Sequence, residues 1–226
     1  VWMVRDESCC CIFYYYGNIM FDCTYGGIKM DIRDKNVLVF GSGISGIAAS
    51  RLLLREGADV ILYDGNEKLD AETIKENILH DEEHGVTLSG NVKVILGELS
   101  KEVMESLVLT VMSPGVPTDL EVVNQMREMG IPIWGEIELA YVYGKGEVLA
   151  ITGTNGKTTT TTLLGEIMKK YQEHVYVVGN IGNPYTEVAL DMTEDSVAVA
   201  EMSSFQLETI HTFRPKVSAI LNITPD

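Results

Sequence analysis

Basic residues are scarce in this chain of 226 residues: 17 lysines and arginines stand against 33 aspartates and glutamates, a net charge of −16. A protein that grips nucleic acid presents a basic face to the phosphates, so that partner class is disfavoured from the start. A bound nucleotide has to rely on local cations, backbone N–H groups and Mg²⁺ rather than on the field of the whole molecule. Long apolar runs are also missing. None reaches the roughly 20 residues that span a bilayer, so no membrane is expected as a partner. Cysteine is confined to the beginning, at Cys9, Cys10, Cys11 and Cys23. No spaced Cys pair or nearby His follows the triplet, which argues against a metal site, and nothing suggests a disulfide scaffold. A reducing cytoplasm fits this usage. What is present, 46% apolar and 22% charged residues, is the composition of a soluble globular chain with room for one large or two modest domains.

Residues 1–29 do not read like the rest. Cys11-Ile12-Phe13-Tyr14-Tyr15-Tyr16 has neither a strand nor a helix period, and Arg5 followed by Asp6 and Glu7 is a poor signal-peptide start. Met30 precedes the first clean strand, so residues 1–29 are expected to be an atypical N-terminal extension. From there strands and helices alternate. Strands are expected at 36–40, 59–63, 92–96 and 107–112, with helices at 47–56, 71–83 and 120–129. After a glycine-rich break, Gly144-Lys145-Gly146, strands follow at 148–151, 175–178, 196–200 and 217–221, with a helix at 157–171. Such alternation implies parallel sheets with right-handed crossovers. The expected fold is α/β: a Rossmann-like N-terminal domain (30–144), then an incomplete P-loop-type α/β ATP-binding domain (145–226). The second sheet looks unfinished at Asp226, so the sequence is expected to be part of a longer protein.

Two glycine loops carry the chemistry. Gly153-Thr154-Asn155-Gly156-Lys157-Thr158 follows the apolar run Val148-Leu149-Ala150-Ile151 and opens a helix. Loop N–H groups and the positive helix end surround an anion, the lysine reaches the outer phosphates, and the Thr158 hydroxyl can hold Mg²⁺. Only Thr154 and Asn155 separate these glycines, where the common P-loop has four residues. A glycine turn before a surface lysine is the plainer alternative; the flanking strand and helix weigh against it. Gly41-Ser42-Gly43-Ile44-Ser45-Gly46 follows the first strand, with Asp64 about 20 residues on, the spacing of the dinucleotide fingerprint. Alone it reads as an NAD-dependent oxidoreductase. The loop specifies a diphosphate, however, which a nucleotide sugar also supplies, and a Rossmann-like turn without a ligand is a third reading. Two different phosphate loops on successive α/β units suit an enzyme that uses ATP to activate a group on a nucleotide-carried acceptor.

Further strings sharpen this. Gly179-Asn180-Ile181-Gly182-Asn183-Pro184, Glu201-Met202-Ser203-Ser204-Phe205-Gln206-Leu207-Glu208 and Leu221-Asn222-Ile223-Thr224-Pro225-Asp226, taken with Gly153 to Thr158, strongly resemble the Mur ligases. Ser113-Pro114-Gly115-Val116 and Trp134-Gly135-Glu136-Ile137-Glu138 agree, and the resemblance runs from about Met30 to Asp226. It implies an ATP-dependent acid–amino-acid ligase of peptidoglycan synthesis, hence of cell-wall biogenesis, cell shape and cell division, working as a cytoplasmic monomer. The branch it points to joins D-glutamate to the L-alanine carboxylate of UDP-N-acetylmuramoyl-L-alanine. ATP phosphorylates that carboxylate, and the amine then attacks the acyl phosphate. ATP and Mg²⁺ are the implied cofactors.

Position by position, the resemblance implies ATP binding by Gly153, Thr154, Asn155, Gly156, Lys157, Thr158 and Thr159, and catalysis by Lys157 and Glu201. Thr158 and Glu201 are the implied Mg²⁺ ligands. A strand-end carboxylate suits Mg²⁺, although a surface acid there reads the same way. Gly43, Ile44 and Ser45 are implied around the UDP, and Asp64, Gly65 and Asn66 at its uracil or ribose. Asn180, Ser203 and Gln206 are implied on the muramoyl side, with Gly97 and Ser113 to Gly115 bordering the substrate. Phe205 reads as core. Some family members carry a hydroxyl and a basic residue where this chain has Gly65 and Asn66. The family also has a third domain, which closes over ATP. The 226 residues alone are therefore expected to lack ligase turnover, and a non-catalytic nucleotide-binding fragment is the remaining alternative.

Overall fold

A computed structural model of the chain describes residues 29–81, 85–180 and 182–224. The cysteines, residues 1–28 and the Pro225-Asp226 end of the last motif lie outside the described residues.

The first sheet is built from β1 (Asn36–Phe40), β2 (Asp59–Asp64), β5 (Val92–Leu96), β6 (Leu107–Met112) and β7 (Ile133–Gly135). Between β2 and β5 a short antiparallel hairpin pairs β3 (His80–Asp81) with β4 (Val86–Thr87). All five main strands run parallel in the order β5-β2-β1-β6-β7. Val37 and Val39 point into one core, Leu38 and Phe40 into another. That two-residue alternation with both faces apolar is what a parallel strand covered on both sides requires. The cover comes from α1 (Ile44–Arg55), α2 (Ala71–Leu79), α3 (Lys101–Glu105) and α4 (Glu121–Glu128). Strand order reverses at β1, which lies between β2 and β6. Open α/β sheets bind their ligands outside the carboxyl ends of strands at such a point. The register sets Phe40 beside both Tyr63 and Met112. The glycine loop, Asp64 and Ser113 therefore emerge side by side.

The second sheet, all parallel, has the order β11-β8-β10-β9, from β8 (Glu147–Thr152), β9 (Val175–Gly179), β10 (Val197–Glu201) and β11 (Val217–Ile220). Its helices are α6 (Lys157–Met168), α7 (Tyr185–Val188) and α8 (Ser204–Leu207). Between the sheets runs α5 (Glu136–Tyr143), seven of whose eight residues are buried. The two sheets are not separated by a loose tether. One apolar cluster includes Val37 and Leu62 of the first sheet, Ile137 and Leu139 of α5, and Ala198 and Ala200 of the second. Arg51 of α1 adds an ion pair to Glu187 of α7 at 3.2 Å. Gly144, expected as linker, is the C-cap of α5, and a Cβ there would stand 2.6 Å from the Ala140 carbonyl oxygen.

Three helix ends differ from the sequence reading by three residues or more. α1 starts at Ile44 because extended Gly43 is its N-cap, so Ile44 and Ser45 belong to the first helical turn rather than to the loop. The helix expected over 71–83 ends at Leu79. There the chain turns into β3 and buries the Asp81 carboxylate between Arg51 (3.3 Å) and Arg55 (3.2 Å). α6 ends at Met168, three residues short of the expected 171. Its outer face carries exposed Leu163 and Ile167, with Tyr171 exposed just beyond.

Candidate functional site

The first cradle is held in shape by Asp64. Its Oδ2 accepts the Ser42 N–H at 3.0 Å and the Ser42 hydroxyl at 2.6 Å, and its Oδ1 accepts the Asn66 N–H at 3.0 Å. Partial burial pushes the carboxyl pKa up, but the bonds from the Ser42 hydroxyl, the Asn66 N–H and the Ser42 N–H prevail and hold it below its ordinary value. The acid expected at the uracil or ribose is thus first a clamp on its own loop. Asn66 is engaged locally as well, its Oδ1 accepting the Lys68 N–H at 3.1 Å. The two later glycines of the loop have opposite jobs. A Cβ on Gly46 would overlap the Gly41 carbonyl oxygen outright, so that helix α1 can lie on the loop only with hydrogen at that position. A Cβ on Gly43 would meet nothing within 4 Å. Gly43 therefore faces open space, beside exposed Ile44 and the N–H groups of the first turn of α1, whose N-cap offers no side-chain bond. Those donors have no acceptor within the helix and are available to an anion. Gly65 is likewise open on its Cβ side.

The second cradle follows β8. Gly156 is the N-cap of α6 in the left-handed region (φ 83°), where a residue with a Cβ is strained, and no side chain caps the helix. Lys157, Thr158 and Thr159 form its first turn and present their N–H groups beyond the helix end. Thr158 and Thr159 are exposed. The loop N–H groups of Thr154 and Asn155 do not point to an anion, in contrast to the sequence expectation. Thr154 N–H donates to the Asn222 carbonyl at 3.2 Å, and Asn155 N–H donates to Asn222 Oδ1 at 2.9 Å. Asn222 returns its amide N–H to the Asn155 carbonyl at 2.9 Å. Asn222 thus shapes the loop and leaves the helix end to bind. Lys157 curls over the loop, its Nζ 2.7 Å from the Gly153 carbonyl and 3.2 Å from that of Thr154. An ammonium has three donors, so one stays available where the loop opens.

A cavity of about 280 Å³ is lined from the first sheet's side by Ser113 and Pro114 and from the second by Phe205, Gln206 and Thr209, with Glu136 of α5 between them in sequence. Ser113 belongs to the first cradle: its N–H donates to the Phe40 carbonyl at 3.0 Å, and its hydroxyl lies 3.4 Å from the Gly41 oxygen. Gln206 belongs to the second sheet, on α8 just past Glu201. Ser203 and Gln206 form a reciprocal capping box. The Gln206 N–H donates to Ser203 Oγ at 3.3 Å, and the Ser203 N–H donates to Gln206 Oε1 at 2.9 Å. The Ser203 hydroxyl is therefore a cap, and the amide nitrogen of Gln206 is the atom left for the cavity. Phe205 is not core. It is 65% exposed at the rim, because the turn of α8 that buries Gln206 turns its neighbour outward.

Glu201 ends β10 and is only 1% exposed, so it is no surface acid. Its Oε1 accepts the Asn180 amide N–H at 2.9 Å, while its Oε2 is buried without a hydrogen-bond partner. An orphaned buried carboxylate oxygen is costly, and a cation removes that cost. The residues thus fit Mg²⁺, which is held by one or two carboxylates together with water and substrate phosphate rather than by a protein cage. The Glu201 strand is tied to the phosphate loop: the Thr152 hydroxyl donates to the Met202 carbonyl at 2.9 Å, and the Met202 N–H to the Ile151 carbonyl at 2.9 Å. Asn180 faces Glu201 through both its side chain and its backbone N–H, leaving its Oδ1 for a ligand.

Ser42, Asn222 and the pair Glu136 and Glu138 were given no role in the sequence reading. Asn222 and the glutamates do stand inside the quoted motifs, which was the one signal available for them. Ser42 likewise stands inside the first glycine loop, but its partner is set by the pairing of β1 with β2.

Comparison with known proteins is in keeping with this layout. Residues 35–135 match the family profile of the Mur ligase MurD-like N-terminal domain, and residues 151–226 that of the Mur ligase middle domain. Over 197 residues the chain is 54% identical to the UDP-N-acetylmuramoylalanine–D-glutamate ligase of Lachnospira eligens and 57% identical to that of Lachnoclostridium phytofermentans. Each match takes in 87% of this chain and 42% of the relative, so the chain spans less than half the length of the curated relatives it matches. Among solved structures, a murein peptide ligase of Psychrobacter arcticus superposes with a TM-score of 0.51 at 18% identity, covering 85% of this chain and 44% of that one, which bears on the fold alone.

Proposed function

The chain belongs to the Mur ligase family, and from that premise we propose that it is the substrate-gathering front of an ATP-dependent ligase that adds D-glutamate to UDP-N-acetylmuramoyl-L-alanine. The observation that carries this reading is the cavity that Ser113, bonded to the first glycine loop, shares with Gln206 of α8, just past the Glu201 end of β10, which pairs with the strand leading into the Lys157 loop. In this reading the first turn of α1, with Gly43, Ile44 and Ser45, receives the diphosphate of the UDP substrate. Asp64, Gly65 and Asn66 form the shelf for its nucleoside end. The muramoyl-alanine then lies along Ser113, Asn180 and Gln206, with its carboxylate delivered toward Glu201.

A carboxylate is a poor electrophile, and transfer of the ATP γ-phosphoryl group gives it a leaving group. Both reactants are anionic, so the barrier is set by charge that cations and N–H donors must offset. Lys157 neutralises the outer phosphates. The N–H groups of Lys157, Thr158 and Thr159 orient them. Glu201 and the Thr158 hydroxyl hold Mg²⁺, which supplies Lewis-acid stabilisation of the phosphoryl oxygens when bound. D-Glutamate attack on the acyl phosphate completes the amide and releases phosphate. The oxidoreductase alternative is less well supported. A second glycine loop opening a helix after a buried strand has no use in hydride transfer.

Separate calorimetric titrations of the chain with UDP-N-acetylmuramoyl-L-alanine, Mg-ATP and NADH test this. Binding of the UDP compound and of ATP without NADH is expected. NADH binding without the UDP compound would overturn the proposal, and ATP binding alone would reduce the chain to a nucleotide-binding fragment.

A further inference from the structure

Helix α5 buries seven of its eight residues, two of them glutamates. Glu136 is 2% exposed and Glu138 fully buried. Among the described residues neither carboxylate meets a cation, and their bonds come from donors on α7 and on residues 211–213. Glu136 Oε1 accepts the Thr186 N–H at 2.8 Å and its hydroxyl at 3.0 Å. Glu138 Oε2 accepts the N–H groups of His211 at 2.8 Å and Phe213 at 3.0 Å, and its Oε1 accepts the Thr212 N–H at 2.7 Å and the Thr212 hydroxyl. Residues two apart on a helix point about 200° away from each other. The helix therefore threads between two segments and holds one on each side.

Those two segments carry the cleft residues of the second sheet. One leaves β9 through Asn180 and reaches α7 at Thr186. The other leaves β10 at Glu201, passes Ser203 and Gln206, and reaches 211–213. The chain leading into α5 is fastened to the second segment as well: Gly135 N–H donates to the Thr209 carbonyl at 3.0 Å, and the His211 ring lies 2.7 Å from the Ile133 carbonyl. β7, from which α5 departs, pairs directly with β6, the strand that ends at Met112 just before Ser113. Apolar side chains would join the layers without the desolvation cost of two buried carboxylates. What carboxylates add is direction, since each bond fixes a particular donor at a particular place.

We propose that Glu136 and Glu138 are positioning residues that hold the Asn180 segment and the Gln206 segment at a fixed spacing across the cleft from Ser113, so that the muramoyl part of the substrate meets a preset face. The inference rests on the ligase reading above. It separates the two ends of the substrate. UDP alone engages the first cradle and is indifferent to α5, whereas UDP-N-acetylmuramoyl-L-alanine also engages the face that α5 sets.

The test is to titrate the whole chain, as wild type, E138Q and E136Q, with UDP and with UDP-N-acetylmuramoyl-L-alanine, and to follow amide exchange of 209–213 and 184–187. The expected result is that each variant keeps its UDP affinity within about twofold and loses about tenfold for the muramoyl compound, a difference of ~1.4 kcal/mol. Exchange should quicken at 209–213 in E138Q and at 184–187 in E136Q. Should E138Q fail to fold, E136Q, which disturbs fewer donors, is held to the same expectation. Unchanged muramoyl affinity in a folded variant, or equal losses for both ligands, would overturn the inference while leaving the ligase reading intact. A wild type that binds UDP but gains nothing from the muramoyl-alanine would overturn the ligase reading and this inference with it.

Discussion

The glycine loop after β1 yields a prediction in which stability and binding part company. Gly46→Ala and Gly43→Ala add the same methyl group three residues apart. At Gly46 helix propensity favours alanine by ~1 kcal/mol. Against this, the new Cβ overlaps the Gly41 carbonyl oxygen and stands 2.9 Å from its carbon. Backbone cannot rotate away as a side chain does, and overpacking of this kind costs about 1–3 kcal/mol or more. The Gly41 backbone is fixed by its own N–H, which donates to the Tyr63 carbonyl at 2.8 Å. The clash therefore wins, and G46A should be destabilised by about 2 kcal/mol, a fall of about 4–8 °C in melting temperature for a domain of this size. At Gly43 the backbone is extended (φ −73°, ψ −176°), which alanine accepts, and the methyl meets no atom of the protein. G43A should melt within about 0.5 kcal/mol of wild type. Its methyl instead stands where a diphosphate must approach the first turn of α1, so UDP affinity should fall by about tenfold or more. Thermal unfolding by circular dichroism and calorimetry with UDP read the two effects separately. A G43A variant that binds UDP like wild type would refute the placement of the diphosphate, and an undiminished melting temperature for G46A would refute the packing argument.

Three further outcomes are expected. The Asp64 carboxyl is held below its ordinary pKa, so the stabilisation it brings is complete above the unfolded value of about 3.9 and is lost as pH falls through the lower folded value. S42A should be less stable than wild type at neutral pH and converge on it in acid; a gap independent of pH, measured by urea unfolding, would contradict the clamp. Burial holds Glu136 above the ordinary carboxylate range despite its bonds from Thr186. Wild-type stability should then decline as pH rises from about 4 through the folded value, so E136Q should improve relative to wild type over that interval. A parallel pair of stability–pH curves would count against it. E201Q should abolish the gain in ATP affinity that Mg²⁺ gives the wild type while leaving metal-free affinity unchanged. An equal Mg²⁺ gain in both proteins would remove Glu201 from the metal site.

Both glycine loops could be found in the sequence because each is a short local device. A buried strand, glycines at fixed offsets and a helix suffice to specify it, and in β1–α1 and β8–α6 these are contiguous. The functions of the loop side chains were less legible, because they depend on strands that are distant in sequence. Asp64 has the spacing of a ribose acceptor, but the pairing of β2 with β1 brings it onto Ser42. Thr154 and Asn155 look like phosphate donors until β11 delivers Asn222 to them. Helix α5 was missed altogether. Apolar or buried on every side, it lacks the 3.6-residue contrast that marks a surface helix, and the three-residue β7 before it is too short to show a period. Phe205 misled in the opposite sense, since an aromatic residue beside a buried strand usually joins the core, and only the turn of α8 decides that Gln206 does so instead.

In the proposed ligase the two cradles serve one cleft. Mn²⁺ bound with ATP in place of Mg²⁺ offers the most direct test, through its paramagnetic effect on the proton resonances of UDP-N-acetylmuramoyl-L-alanine held on the same chain. Strong relaxation of the L-alanine methyl and weak relaxation of the uracil protons is the expected pattern. Equal relaxation of both, or none at either, would mean that the triphosphate and the sugar nucleotide do not meet where Glu201 and Gln206 stand.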